Sequence, residues 1–179
     1  MKQISSPKEF KTILEKIAED FFRQNEAVCK HGAAGVGIVG IQTRGVHVAA
    51  RIAEILKKKH RVSSSVGSLD ITLYRDDVSE IGSQPLVKET DIPFPVEGKT
   101  ILLVDDVLYT GRTIRAALDA LLELGRPKRV LLACVVDREG RELPIQPDYV
   151  GLDMKAKAGE KIQLKIKEVD GKDGIWVVQ

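Results

Sequence analysis

Three short apolar runs, separated by stretches with helical periodicity, most strongly constrain the fold of this 179-residue chain. The runs are GVGIVGI (35–41), KTILLV (99–104) and RVLLACVV (129–136), and each has the length and apolar content of a buried strand. Strands that alternate with helices predict an α/β fold with a mainly parallel central sheet flanked by helices. The chain length suits one domain, and we expect residues 1–179 to form it.

The helices are predicted from apolar residues that recur at three- and four-residue spacing. The first covers residues 5–25 and opens with SSPKEF, which supplies a capping box and a proline at the first helical position. Two more helices are expected over 45–59 and 113–125. Further strands are expected over 65–75, over 148–154, and as a pair joined through Gly171 within 160–179.

A long segment without regular periodicity, residues 76–98, separates the predicted strand 65–75 from the strand 99–104. It holds three prolines and two glycines. A loop of this length in a compact domain usually has a function, so we expect it to act as a lid over a binding site.

Overall charge and cysteine content narrow the class of protein. The net charge of +2 indicates neither a nucleic-acid nor a membrane partner, and the N-terminus is polar, unlike a signal peptide. Cys29 and Cys134 lie far apart, without the spacing of a metal site, and Cys134 falls in a buried run. Reduced, buried thiols favour a cytoplasmic protein, and no apolar run approaches the roughly 20 residues needed to cross a bilayer.

The stretch GVGIVG (35–40) matches the glycine pattern of a dinucleotide-binding loop. That pattern works as the turn between a strand and a helix, whereas here the stretch itself has the composition of a strand. We therefore predict a buried strand and no dinucleotide site.

The stretch VDDVLYTGRT (104–113) combines two carboxylates with a turn suited to an anion. Amides of residues 109–113 would precede a helix whose N-terminus favours negative charge, and the missing Gly-Lys-Ser/Thr ending excludes a Walker A loop. Asp105 and Asp106 can accept hydrogen bonds from a vicinal diol. A diol and a phosphate a few ångströms apart describe a ribose 5-phosphate.

Two other polar stretches follow predicted strands and should meet the first at the carboxyl edge of the sheet. GIQTRG (40–45) places Arg44 at a helix start, where it is either a second anion site or an ordinary helix entry capped by Thr43. VDREGRELP (136–144) carries Arg138 and Arg141, and it is either a surface loop or a flap that covers a base.

Residues 101–113, ILLVDDVLYTGRT, resemble the thirteen-residue phosphoribosyl-pyrophosphate (PRPP) motif of type I phosphoribosyltransferases: four apolar residues, two acidic, two apolar, Tyr109, then T-G-x-T. The runs GIQTRGVHVAARIAE, DITLYRDDVSEIG, PLVKETDIPF and VDREGRELPIQPDYVG extend the likeness along nearly the whole chain. Together they resemble the family of bifunctional pyrimidine-operon regulators and uracil phosphoribosyltransferases.

The resemblance implies a type I phosphoribosyltransferase fold with a small hood, and transfer of a phosphoribosyl group from PRPP to uracil. The products would be UMP and pyrophosphate, with Mg²⁺ bound mainly through PRPP. Asp105, Asp106 and Arg44 would be catalytic, residues 75–90 would form the mobile loop, and no residue is marked as a general base. The residues expected to contact substrate are Thr43, Arg44, Gly45, Arg75, Lys88, Asp105, Asp106, Val107, Leu108, Tyr109, Thr110, Gly111, Arg112, Thr113 and Arg138.

The resemblance further implies a homodimer or homotetramer that binds UMP or UTP and the messenger leader of the pyrimidine operon, as a regulator of transcription attenuation. After the strand 129–136, relatives read Arg-Gly-His-Arg and later Pro-Ile-Arg where this chain has REGRELPIQ. Candidates for RNA contacts are Lys16, Arg23, Gln42 and Arg141. Two alternatives stay open: a transferase that has lost RNA regulation, and a transferase for another base.

Overall fold

The central feature of the computed structural model, which describes residues 1–76, 88–155, 157 and 159–179, is a parallel sheet. Its order is β3-β2-β4-β5-β6, and every neighbouring pair is parallel. The strands are β2 (Val36–Ile41), β3 (Ser65–Leu69), β4 (Thr100–Leu108), β5 (Arg129–Arg138) and β6 (Tyr149–Met154). The prediction of an α/β fold with a mainly parallel sheet is confirmed.

Three helices cover the two faces of this sheet. They are α1 (Pro7–Cys29), α2 (Arg44–His60) and α3 (Arg112–Glu123). The apolar side chains of α1 and α2 pack on one face and those of α3 on the other. All six residues of β2 are buried, because α2 packs on one face and a cluster that includes Phe94 and α3 packs on the other. The prediction of a strand over GVGIVG is confirmed.

The start of α1 follows the predicted capping box. The hydroxyl of Ser6 accepts from the amide of Glu9 (3.3 Å), and the Glu9 carboxylate accepts from the amide of Ser6 (2.7 Å). The helix continues past the predicted end at residue 25 to Cys29, with an irregular residue at Asn25.

A second, antiparallel sheet of order β1-β8-β7 forms the hood. It consists of β1 (Lys2–Ser5), β7 (Lys161–Lys165) and β8 (Gly174–Val178). The predicted pairing of two strands within 160–179 is confirmed, although a one-turn helix, α4 (Lys167–Asp170), precedes the turn at Gly171. The strand β1 was missed, since its four residues lack an apolar pattern and pair with the distant β8.

The strand predicted over 65–75 is too long. β3 ends at Leu69, and a 3₁₀ turn, Thr72–Tyr74, follows. The carboxylate of Asp70 accepts from the amide (3.0 Å) and the hydroxyl (2.6 Å) of Thr72, which turns the chain out of the sheet. Leu73 is consequently exposed, at 62%.

The two cysteines are free thiols in buried positions. Burial raises the pKa of Cys29 to about 11, so the neutral thiol prevails at physiological pH. In the part of the chain that the structure describes, no helix has the length and hydropathy required to cross a bilayer.

Candidate functional site

A cavity of about 310 Å³ opens at the carboxyl edge of the central sheet, where parallel sheets bind ligands. A smaller hollow of about 160 Å³, which shares Arg75 and Thr113 with it, extends toward Thr110 and Arg112. The predicted site residues that line the larger cavity are Thr43, Arg44, Arg75, Lys88, Asp105, Asp106, Val107 and Thr113. The structure therefore brings together three stretches that are distant in sequence. Residues 77–87 of the predicted lid lie outside the described residues.

The two adjacent carboxylates of β4 have different environments. Asp105 is 5% exposed and Asp106 is half-buried. Desolvation, followed by the negative charge of Asp106, raises the pKa of Asp105 well above its ordinary value. Each carboxylate accepts from the next amide in the chain: Asp105 from Asp106 and Asp106 from Val107, both at 2.9 Å. Asp106 is thus the more accessible acceptor of the pair.

The raised pKa of Asp105 predicts a pH-dependent stability. Because folding raises this pKa, the folded protein binds the proton more tightly than the unfolded chain, and stability is lost as pH rises from the unfolded value, near 3.8, to the folded one. An Asp105→Asn variant has no carboxylate to ionise at this position, so its stability does not fall with rising pH for this reason. We expect its melting temperature to match that of the wild type at pH 4 and to exceed it increasingly toward pH 8.

Melting curves of the unliganded protein across pH 4–8 measure this difference. Asp119→Asn, which changes an exposed carboxylate on α3, is the control and should show no such trend. A melting temperature of Asp105→Asn below that of the wild type at pH 8 would contradict the account.

The turn between β4 and α3 has the geometry of an anion site. Gly111 adopts a left-handed φ of 92° immediately before α3, whose first-turn amides lack intrahelical acceptors. The carbonyl of Thr110 accepts from the amides of Glu142 (2.9 Å) and Leu143 (3.1 Å), so the segment after β5 fixes the turn. Leu108 lies in the apolar core.

The predicted pyrophosphate loop, Thr43 to Gly45, begins α2 beside β4. A Cβ on Gly45 would lie 2.6 Å from the carbonyl oxygen of Val104, so only glycine allows this approach. The guanidinium of Arg44 donates to both carboxylate oxygens of Asp170, at 3.0 and 2.8 Å. The hydrogen bond that Arg44 donates to Asp170 contributes most to raising the pKa of Arg44. Thr43 stands at the N-cap position without capping the helix through its side chain.

Lys88 reaches this loop from the far end of the long predicted lid. Its ammonium donates to the hydroxyl of Thr43 (2.6 Å). Its amide donates to the carboxylate of Asp70 (2.6 Å), and the amide of Asp70 donates to Thr90 (3.0 Å). Asp70, 8% exposed, thereby ties the end of β3 to residues 88–90. Sequence reasoning missed Asp70 because it treated this residue as an ordinary position in a strand.

The predicted flap after β5 packs against the turn. Arg138 stacks over the ring of Tyr109, with its guanidinium carbon 3.9 Å from the ring centroid. Arg141 donates to the carbonyls of Ile145 (2.7 Å) and Tyr109 (2.6 Å), and it forms an ion pair with Asp137. The expectation that Arg141 is available to RNA does not fit this arrangement, because its donors are engaged within the protein.

Arg112 points outward from the turn. Its guanidinium donates to Asp76 (2.8 Å) and to Glu142 (2.6 Å), and its side chain is 52% exposed. Its amide donates to the hydroxyl of Thr110 (3.3 Å). Arg112 therefore borders the smaller hollow, and its side chain stabilises the turn through hydrogen bonds to Asp76 and Glu142.

Comparison with known proteins identifies the family of this chain. The family model described as "Phosphoribosyl transferase domain" matches residues 1–166. Proteins named "Bifunctional protein PyrR" from Thermus aquaticus and Deinococcus radiodurans are 49% and 46% identical to this chain. These alignments cover 97% and 95% of this chain and 93% and 90% of the relatives. The chain belongs to the bifunctional PyrR family of phosphoribosyltransferases. The resemblance seen in the sequence and the prediction of a phosphoribosyltransferase enzyme are confirmed.

Solved structures confirm the type I phosphoribosyltransferase fold of this PyrR-family chain. The hypoxanthine phosphoribosyltransferase of Trypanosoma cruzi superposes with a TM-score of 0.74 at 17% identity, over 99% of this chain and 95% of that one. The hypoxanthine-guanine phosphoribosyltransferase of Bacillus anthracis gives a TM-score of 0.65 at 16% identity, over 86% and 82% of the chains. At such identities the likeness concerns the fold alone.

Proposed function

We propose that this protein transfers a phosphoribosyl group from PRPP to uracil, and that it also regulates the pyrimidine operon by binding its messenger leader. Membership of the bifunctional PyrR family supports both roles. The observation that carries the transferase role is the single cavity that joins Asp105 and Asp106 to Thr113 at the start of α3 and to the loop at Thr43. One ligand with a diol and phosphates at both ends fits these groups.

In this proposal each part of the site binds one part of PRPP. Asp106 accepts hydrogen bonds from the ribose hydroxyls, and the amides of 109–113 bind the 5-phosphate. Thr43, Arg44 and Gly45 bind the pyrophosphate, with the ammonium of Lys88 beside them. Uracil lies toward the flap that carries Arg138.

The chemistry of the transfer requires charge stabilisation more than a strong base. When pyrophosphate departs, negative charge develops on the leaving group and the ribose becomes oxocarbenium-like. Arg44 and Lys88, which line the cavity, would stabilise that negative charge, and the turn 109–113 would position the ribose through its 5-phosphate. Exclusion of water by closure of the segment around 75–90 would protect PRPP from hydrolysis.

The donors present suit Mg²⁺ bound mainly through PRPP. Mg²⁺ prefers oxygen ligands and is commonly held by one or two carboxylates together with substrate phosphates. Asp106 offers a carboxylate in the cavity for this purpose. When bound, Mg²⁺ neutralises phosphate charge and polarises the leaving group.

The transferase role is tested with purified protein, PRPP and Mg²⁺, supplied in turn with uracil, orotate and hypoxanthine. UMP from uracil is the expected product, with the other bases at least about 100-fold poorer, because a polar base site rejects mismatched hydrogen-bonding groups. Nucleotide formed from hypoxanthine or orotate instead would favour the alternative of a transferase for another base.

The regulatory role rests on family membership and on exposed cations. Arg23 on α1 has a side chain that is 71% exposed, and it forms an ion pair with Asp20. Lys16 donates to the carbonyls of Val150 (3.1 Å) and Gly151 (3.2 Å), so it is less available to RNA than Arg23.

A cytoplasmic location and a dimeric or tetrameric state remain predictions.

We expect UMP to tighten binding of a pyrimidine-operon leader about tenfold, within the usual range for coupling between two sites. A filter-binding titration with and without UMP, at fixed salt, measures the change. A scrambled RNA of equal length is the control. Equal affinity for the two RNAs, unchanged by UMP, would favour a transferase that has lost RNA regulation.

A further inference from the structure

Two arginines of α2, Arg44 and Arg51, form ion pairs with carboxylates of the hood in and beside the one-turn helix α4. Arg44, at the first position of α2, binds Asp170. Arg51, two turns further along, binds Glu168 (2.5 Å) and Asp173 (2.9 Å). The hood therefore contacts α2 both at the predicted pyrophosphate loop and away from it.

The carboxylate of Asp170 is held by more hydrogen bonds than a typical surface carboxylate. It accepts from the amide of Ile166 (3.0 Å), and its side chain is only 16% exposed. It also accepts two hydrogen bonds from Arg44 in the bidentate geometry that fixes a guanidinium in one orientation. The hydrogen bond from Arg44 is the largest influence on the pKa of Asp170, which lies below its ordinary value.

Arg44 stands at the border of the cavity, and its side chain is held from the side of the hood. Asp106, which lines the same cavity, adds to the negative charge around Arg44, although the hydrogen bond to Asp170 has the larger effect on its pKa. A free arginine has many rotamers, and fixing one of them in advance removes part of the entropy cost of ligand binding.

We propose that Asp170 is a positioning residue for the pyrophosphate end of the substrate, acting through Arg44 on the loop Thr43 to Gly45. This inference rests on the proposed transferase function and deepens it, since it connects the hood to the leaving-group site. The effect of Asp170 is specific: the pyrophosphate loop depends on it, and the turn at 109–113, which belongs to β4 and α3, does not.

Removal of Asp170 could change the affinity for pyrophosphate in either direction, and the direction shows which of two effects dominates. If Asp170 mainly competes with pyrophosphate for Arg44, its removal would tighten binding. If it mainly orients Arg44, its removal weakens binding. Orientation should dominate, because water and Mg²⁺ screen the repulsion between Asp170 and the ligand in an open cavity, whereas the bidentate pair sets the rotamer directly.

The experiment compares Asp170→Asn with Glu168→Gln, its matched control on the same helix, which weakens the ion pairing of Arg51 and leaves Arg44 paired. The measurements are the dissociation constants of inorganic pyrophosphate with Mg²⁺ and of UMP, by calorimetry. For Asp170→Asn we expect pyrophosphate binding to weaken about tenfold and UMP binding to change less than twofold. Glu168→Gln should bind both ligands as the wild type does.

A variant that combines Arg44→Met with Asp170→Asn tests the route of the effect. It should bind pyrophosphate no more weakly than Arg44→Met alone, because Asp170 acts through Arg44. Asp170→Glu, which retains the carboxylate but displaces it, replaces Asp170→Asn if the latter does not fold, with a loss in the same direction. Unchanged or tighter pyrophosphate binding in the folded variant, or equal weakening of UMP and pyrophosphate, would overturn the inference.

Failure of the proposed transferase function gives a different result: wild-type protein would bind pyrophosphate but would make no UMP from uracil and PRPP.

Discussion

Replacing Asp106 by asparagine is expected to lower kcat/KM for PRPP about 100-fold while the protein stays folded. A hydrogen bond to a charged acceptor is worth about 1.5–3 kcal/mol, and 1.4 kcal/mol corresponds to a factor of ten. Asparagine keeps the size and one oxygen, which can still accept from the amide of Val107. The other oxygen becomes an NH₂ donor that faces the ribose hydroxyls, and the charge is lost.

Initial rates of UMP formation over a range of PRPP concentrations measure the effect, with melting temperature as the check on folding. Asp119→Asn on the exposed face of α3 is the matched control, since it makes the same chemical change on the helix that follows the turn. Rates for Asp106→Asn equal to those of the wild type would mean that the ribose site is assigned wrongly.

Replacing Gly45 by alanine is expected to lower the free energy of unfolding by about 1–3 kcal/mol, the usual cost of an added methyl in a tightly packed place. The Cβ would lie 2.6 Å from the backbone oxygen of Val104, which cannot rotate away. Helix propensity alone predicts the opposite sign, because alanine is about 1 kcal/mol better than glycine within a helix. The sign of the change therefore separates the two explanations.

The same substitution should raise KM for PRPP by about tenfold, since α2 must move away from β4 and carry the pyrophosphate loop with it. Urea unfolding and steady-state kinetics measure the two effects. Gly98→Ala is the comparison: its φ of 69° makes alanine unfavourable without any steric contact within 4 Å of the added Cβ, so this variant should lose stability but keep a normal KM. A stabilised Gly45→Ala protein with normal KM would show that the loop is not confined by β4.

The parts of the fold that sequence predicts well are those in which local pattern and tertiary environment agree. β2, β4 and β5 are buried from both sides, so they appear in the sequence as continuous apolar runs. The glycines of GVGIVG fit a strand for the same reason, since a Cβ on Gly37 would lie 2.4 Å from the ring of Phe94. Sequence periodicity likewise locates α1 and α2 to within a few residues of their ends.

The features that sequence could not predict depend on partners far away in the chain. The strand β1 has no apolar pattern and exists because β8 pairs with it. The carboxylate of Asp70, at the end of β3, also accepts from the amide of Lys88, 18 residues later. Arg44 was predicted as a site residue without any protein partner being named, and its guanidinium donates to Asp170, 126 residues later. Contacts of this kind follow from topology and leave no local signal.

The candidate site also contains both features that local sequence predicts and features that depend on distant contacts. Asp105, Asp106 and the turn 109–113 are adjacent in sequence, so their joint chemistry was predictable before the fold was known. That Asp105 is the buried member of the pair, with a raised pKa, follows only from its packing at the sheet edge. The role of Arg141 in fixing the flap to Tyr109 likewise depends on how the two loops meet.

A crystal structure of the protein with UMP tests the central claim most directly, because one ligand should connect the acidic pair to the turn. We predict that the ribose hydroxyls lie within hydrogen-bonding distance of Asp106 and that the phosphate accepts from amides of residues 109–113. The uracil ring should lie toward Arg138. A nucleotide whose phosphate lies away from this turn, with Asp106 free of ribose contacts, would contradict the account.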